Sequence, residues 1–167
     1  TLYTLKKLSD NDFKSKKIIL DADALNQISS EKKWWDKVPG ECILTPHFGE
    51  MSRLTKISIQ EIQKNKVEIT QEFSSIWNQI IVLKGSNTII SHPNGNLLIS
   101  PWSNSGLSKA GSGDLLTGII SGLSAHTQLN SFDSASLGVY LHGLSGYLAT
   151  NNKGVYGMTS TDILEKI

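Results

Sequence analysis

Short apolar runs, each ended by a polar residue and separated from the next by other patterning, constrain this chain more than any other feature. Residues 16–20 run into Asp21-Ala22-Asp23, residues 41–44 into Thr45-Pro46, and residues 79–84 end at Lys84-Gly85. Runs whose centres are this short and this apolar suit strands buried on both faces, as parallel sheets require. Between the second and third, Ser58-Ile59-Gln60-Glu61 has the form of a capping box, and Ile62, Ile69, Phe73 and Ile76 recur at helical spacing. That spacing predicts an amphipathic helix over 58–77. Strands alternating with helices predict an α/β fold whose central sheet is mostly parallel, with ligands held where the strands end.

The rest of the chain is punctuated as clearly. Pro93-Asn94-Gly95 between the runs 87–91 and 96–100 predicts a hairpin. Asp23 is expected to cap a short helix over 24–30. A helix over 112–125 carries an apolar stripe of Leu115, Leu116, Ile119, Ile120 and Leu123, and Gly118 and Gly122 are expected to admit a second backbone closely. A long helix over 131–151 and a short one capped by Ser160 complete the pattern. Trp34 and Trp35 are either core residues or surface residues covered by a neighbour, and their spacing does not choose.

Net charge narrows the partners. With 16 basic and 15 acidic residues the chain carries +1, which gives no electrostatic basis for binding nucleic acid or an anionic membrane. The longest apolar runs fall far short of a bilayer span, and the first residues show no signal-peptide pattern, so a cytoplasmic protein is expected. Cys42, the single cysteine, lies in an apolar run and is expected to be buried and inert. At 167 residues the chain is expected to form one domain over 1–167. It opens at Thr1 in mid-pattern, so further chain is expected upstream.

Four runs carry residues suited to chemistry. Ala110-Gly111-Ser112-Gly113-Asp114 leads straight into an apolar helix: glycines allow close backbone approach, and free N–H groups at a helix start attract anions. A serine cap with an acid in the first turn also occurs in helices without function, and the residues alone leave both readings standing. Thr45-Pro46-His47-Phe48-Gly49-Glu50 puts a histidine and an acid in a loop at the sheet edge. Lys84-Gly85-Ser86-Asn87-Thr88 is a turn able to wrap a nucleotide phosphate. Asp21 and Asp23, two apart at a strand end, are expected to point the same way.

Taken in order, Leu-Asp-Ala-Asp-Ala-Leu at 20–25, Thr-Pro-His-Phe-Gly-Glu at 45–50, Leu-Lys-Gly-Ser-Asn-Thr at 83–88 and Ala-Gly-Ser-Gly-Asp-Leu-Leu-Thr-Gly at 110–118 resemble the ADP/ATP-dependent NAD(P)H-hydrate dehydratases, a branch of the ribokinase-like superfamily. Phe48 stands where the family usually has Pro, and Ser112 where it more often has Thr. The resemblance implies a ribokinase-like three-layer α/β/α fold with a mostly parallel sheet and a C-terminal β-hairpin, its N-terminal part missing here. It implies dehydration of NADH hydrate and NADPH hydrate, with ADP or ATP as phosphoryl donor and Mg2+ as cofactor, in a homo-oligomer. Asp114 would be the catalytic acid–base residue and would contact substrate together with His47. Lys84, Gly85, Ser86, Asn87, Thr88 and Gly113 would bind the nucleotide, and the backbone of Gly111, Ser112 and Gly113 would form an anion hole. Glu50 would help hold Mg2+, and Asp21, Asp23 and Asn26 would stand behind these groups. The rival readings are a ribokinase-type kinase acting on a thiazole or pyrimidine alcohol or a sugar, a domain that binds adenine nucleotide without turnover, and a purely structural α/β domain.

Overall fold

Strands form where the aliphatic residues cluster. A computed structural model describes residues 16–38, 40–126 and 128–167. Residues 1–15, on which the reading of the chain's opening rests, lie outside them. Ile18–Leu20 (β1), Cys42–Leu44 (β2), Ile80–Leu83 (β3), Ile89–Ser91 (β4) and Leu97–Ile99 (β5) form one sheet in the order β1-β2-β3-β4-β5. The first three strands run parallel, and β4 and β5 close the sheet as an antiparallel hairpin on β3. This is the mixed, largely parallel sheet that the sequence predicts. Among the described residues, no helix is long and apolar enough to cross a membrane.

Side-chain alternation divides the strands between two cores. Cys42 and Leu44 face one way, toward Ala22–Ile28 (α1), Phe48–Thr55 (α2), Ile59–Lys64 (α3) and Lys66–Trp77 (α4). Ile43, Ile80 and Val82 face the other way, onto Leu116 and Ile120 of Ser112–His126 (α5) and Ala135 and Val139 of Ser131–Gly157 (α6). The result is three layers, helices on both faces of the sheet. A short last helix, Ser160–Leu164 (α7), docks with α6 and Leu115 around Ala149, Met158 and Ile163. Trp34 is core: it is 1% exposed and lies 5.1 Å from Trp77, with Trp35 packed beside both.

Several local expectations are corrected. Helix α1 starts at Ala22, so Asp23 stands exposed in its first turn rather than at its cap, and β1 ends before the two acids could share a strand face. The predicted helix over 58–77 is two helices, broken at Asn65 (φ −121°, ψ 41°). Ser58 accepts from the Glu61 N–H, but the Glu61 carboxylate accepts from the Asn65 side chain instead of closing the box. Trp77 takes the buried position, in an aromatic cluster with Trp34 and Phe73, and leaves Ile76 49% exposed. Thr159, not Ser160, caps α7, in a reciprocal capping box with Asp162. Helix α6 runs on to Gly157, past a break at Gly154 (φ 72°).

Candidate active site

The parallel register brings the three strand ends to one edge. Leu20 is level with Leu44, and Leu44 with Ile81, so the residues that follow them meet. Beyond the strands His47 forms a bridge with Lys84, whose N–H donates to the Pro46 carbonyl at 2.8 Å. The Lys84 ammonium lies 2.7 Å from Asp21 Oδ1 and 3.9 Å from Glu50 Oε2. Thr117 on α5 donates to Asp21 Oδ2 at 2.7 Å. Burial works to raise the Asp21 carboxyl, but Lys84, Thr117 and Thr45 outweigh it and hold the group below the usual carboxylate range. Lys84, expected to serve the nucleotide, is thus already paired from behind by two acids.

His47 and Glu50 are first of all the start of α2. His47 Nδ1 accepts from the Gly49 and Glu50 N–H groups at 2.9 and 3.2 Å, and Glu50 Oε2 accepts from the His47 N–H at 2.8 Å. This is a capping box with histidine in the usual serine position. The imidazole is half exposed and turns Nε2 to within 3.4 Å of Glu50 Oε1. Phe48 does not displace it. Its ring lies on Gly85, where an added Cβ would come within 2.9 Å of the ring edge.

The glycine-rich run forms the start of α5. Gly111 has φ +82°, and an added Cβ would stand 3.1 Å from Ser160 Oγ, so both conformation and space call for glycine. Leu115 is the first residue to close a helical bond here, to the Gly111 carbonyl. Ser112 departs from expectation. Its N–H donates to the Lys109 carbonyl at 3.2 Å, and its buried hydroxyl pairs with His142 Nε2 at 3.0 Å rather than capping the helix. Burial pushes His142 down to about 4, against a hydrogen bond to the Ser112 backbone that favours the charged form, so the imidazole is neutral. Among the described residues the N–H groups of Gly111, Gly113 and Asp114 show no acceptor, so Asp114 takes the place that Ser112 was expected to fill among the free donors. Asp114 itself is exposed and has no side-chain partner among the described residues.

Beside the glycine-rich loop opens a cavity of about 590 Å³, within the range of small-ligand sites. His47, Lys84, Gly85, Ser86, Thr88, Ser112 and Gly113, all singled out in the sequence, line it. Asn87 does not. It takes a left-handed turn (φ 54°) and ties the loop down by donating to the Ser100 carbonyl at 3.0 Å. Glu50 and Asp114 also lie off this wall. Asp114 shares a helix with Thr117, one turn on, which bonds Asp21, so the loop has the cavity on one flank and the acids on the other.

The opposite wall escaped the sequence reading. Trp102, Asn104, Leu107 and Lys109 come from the loop before α5, and Val139, His142 and Gly143 from α6. Trp102 is fixed by Tyr140 and Tyr147, with ring centroids at 5.8 and 5.5 Å. The usable signal was a tryptophan and an asparagine in a serine-rich connection running directly into the glycines. Among the described residues, no group of three or more His, Cys, Asp or Glu is placed to hold a metal ion.

The family model described as NAD(P)H-hydrate dehydratase matches residues 4–167. A bifunctional NAD(P)H-hydrate repair enzyme from Moorella thermoacetica is 40% identical over 147 residues, which cover 88% of this chain and 28% of that protein. The crystal structure of an ADP/ATP-dependent NAD(P)H-hydrate dehydratase from Bacillus subtilis, co-crystallised with ATP and Mg2+, superposes with a TM-score of 0.80 at 33% identity, over 90% of this chain and 53% of that one. A ribokinase-like superfamily protein from Enterococcus faecalis superposes with a TM-score of 0.76 at 27% identity, over 98% of this chain and 55% of the other. The chain therefore spans about half the length of these structural relatives and little more than a quarter of the bifunctional one.

Proposed function

Because the chain belongs to the NAD(P)H-hydrate dehydratase family, we propose that it carries the phosphoryl-transfer centre of an enzyme that restores NADH hydrate and NADPH hydrate to NADH and NADPH, using ADP or ATP. The observation behind this reading is the two-flanked anion loop. Unpartnered N–H groups at the start of α5 stand between a cavity of ligand size and an exposed carboxylate, Asp114. The nucleotide occupies the cavity, its phosphates toward Gly113. The hydrate's ring hydroxyl lies on the Asp114 side, in reach of His47.

Asp114 takes the proton from that hydroxyl as its oxygen attacks the terminal phosphorus. The bond from phosphorus to the bridging oxygen breaks, so AMP leaves from ADP, or ADP from ATP. A positioned base of this kind contributes about 10²–10⁴-fold. The N–H groups of the loop stabilise charge on the moving phosphoryl group. The phosphate ester then loses phosphate with the C–O electron pair and a neighbouring ring proton, which restores the dihydronicotinamide.

A magnesium ion here would be held chiefly by the nucleotide's phosphates and would neutralise their charge. Glu50, 4% exposed and held at Oε2 by the His47 N–H, would act on such an ion from behind, through water, rather than as an exposed direct ligand. We place the enzyme in the cytoplasm as a homo-oligomer, with no nucleic-acid or membrane partner, and take residues 1–167 as part of one ribokinase-like domain.

The test is a substrate comparison on the full-length protein. NADH hydrate with ADP or ATP should yield NADH and equimolar phosphate. Stable phosphorylation of a thiazole or pyrimidine alcohol, with no NADH recovered, would assign the centre to a kinase.

A further inference from the structure

The cavity wall contains two lysines, Lys84 and Lys109, and no carboxylate. Their charges are not equally available. The Lys84 ammonium is paired with Asp21 at 2.7 Å and has Glu50 at 3.9 Å, so an incoming phosphate would compete with two acids for it. Of the wall's histidines, His142 is neutral, and His47 is engaged in the cap of α2, its Nδ1 accepting from two N–H groups. Lys109 has no acidic partner among the described residues. Its ammonium donates to the Tyr156 carbonyl at 2.7 Å, near the end of α6. A carbonyl is a weaker partner for an ammonium than a phosphate oxygen.

Position supports the same conclusion. The bond from the Ser112 N–H to the Lys109 carbonyl folds residues 109–112 into a turn, which brings Lys109 alongside the start of α5. We propose that Lys109, rather than Lys84, supplies the cation that pairs with the nucleotide's phosphates, exchanging the Tyr156 carbonyl for a phosphate oxygen when nucleotide enters. The proposal rests on the nucleotide-binding reading above and names the residue that reads charge within it. Adenosine, which has no phosphate, makes no use of Lys109.

The experiment measures binding of ADP and of adenosine by calorimetry to wild type, Lys109→Gln and Lys109→Arg, at low and high salt. In Lys109→Gln the ADP affinity should fall about tenfold to a hundredfold, as for one lost charge-assisted bond. Its salt dependence should weaken, and adenosine should bind as before. Lys109→Arg should keep most of the ADP affinity. Equal ADP affinity in wild type and Lys109→Gln overturns the proposal and leaves the nucleotide reading intact. A parallel loss of ADP and adenosine binding also overturns it, since that marks a change of cavity shape or of the α6 terminus. A wild type that binds neither ligand overturns both.

Discussion

Burial keeps the His142 imidazole neutral down to about pH 4, while in the unfolded chain it titrates near 6.5. Between those values the unfolded state holds a proton that the folded state does not, so stability rises with pH across this window and is flat above it. Acidification from 6.5 to 4 should therefore cost on the order of 3 kcal/mol through this residue. Urea unfolding at stepped pH should show that slope in wild type and lose it in His142→Gln, whose amide keeps a hydrogen-bonding group for Ser112. Asp21, whose pKa is lowered, contributes only below that window. Its pairing with Lys84 has its own signature. Asp21→Asn leaves a half-buried ammonium with the more distant Glu50 and should destabilise by about 1–3 kcal/mol. Added to Lys84→Met, it should cost much less than the sum of the two, as a double-mutant cycle in denaturant would show.

At the scale of elements, helix packing shows where local reading stops. Gly118 and Gly122 looked like a close-approach pair, yet nothing lies within 4 Å of an added Cβ at either. The approach is made by α6 instead, where a Cβ on Gly138 would stand 2.6 Å from Ile120 Cγ1. Spacing finds small residues but not the side of the helix that meets a neighbour. Gly138→Ala should thus destabilise by about 1–3 kcal/mol, and Gly118→Ala should be neutral or stabilise by up to about 1 kcal/mol; thermal melts of the two distinguish these outcomes. The strands were legible because Ile18–Leu20, Cys42–Leu44 and Ile80–Leu83 are apolar on both faces and end abruptly. The break at Asn65 was not, since Ile62 and Ile69 keep helical spacing across it.

Across the whole molecule, the near half of the site follows from topology. Three parallel strands in register must deliver Asp21, His47 and Lys84 to one edge, and the glycine-rich start of α5 must face them. The far wall depends on where residues 101–109 and α6 come to rest, which is a matter of long-range packing around Trp102, and no spacing in the chain encodes it. The fold also gives three of the residues singled out in the sequence a local partner: Ser112 pairs with His142, Asn87 ties down its own loop, and Glu50 closes the cap of α2. Asp114 alone stands free beside the unpartnered N–H groups, and the account depends on it. The most direct measurement compares wild-type and Asp114→Asn protein for NADH recovered from NADH hydrate with ADP, alongside ADP affinity. The account predicts that turnover falls about 10²–10⁴-fold while ADP binds as before; equal turnover in the two proteins would contradict it.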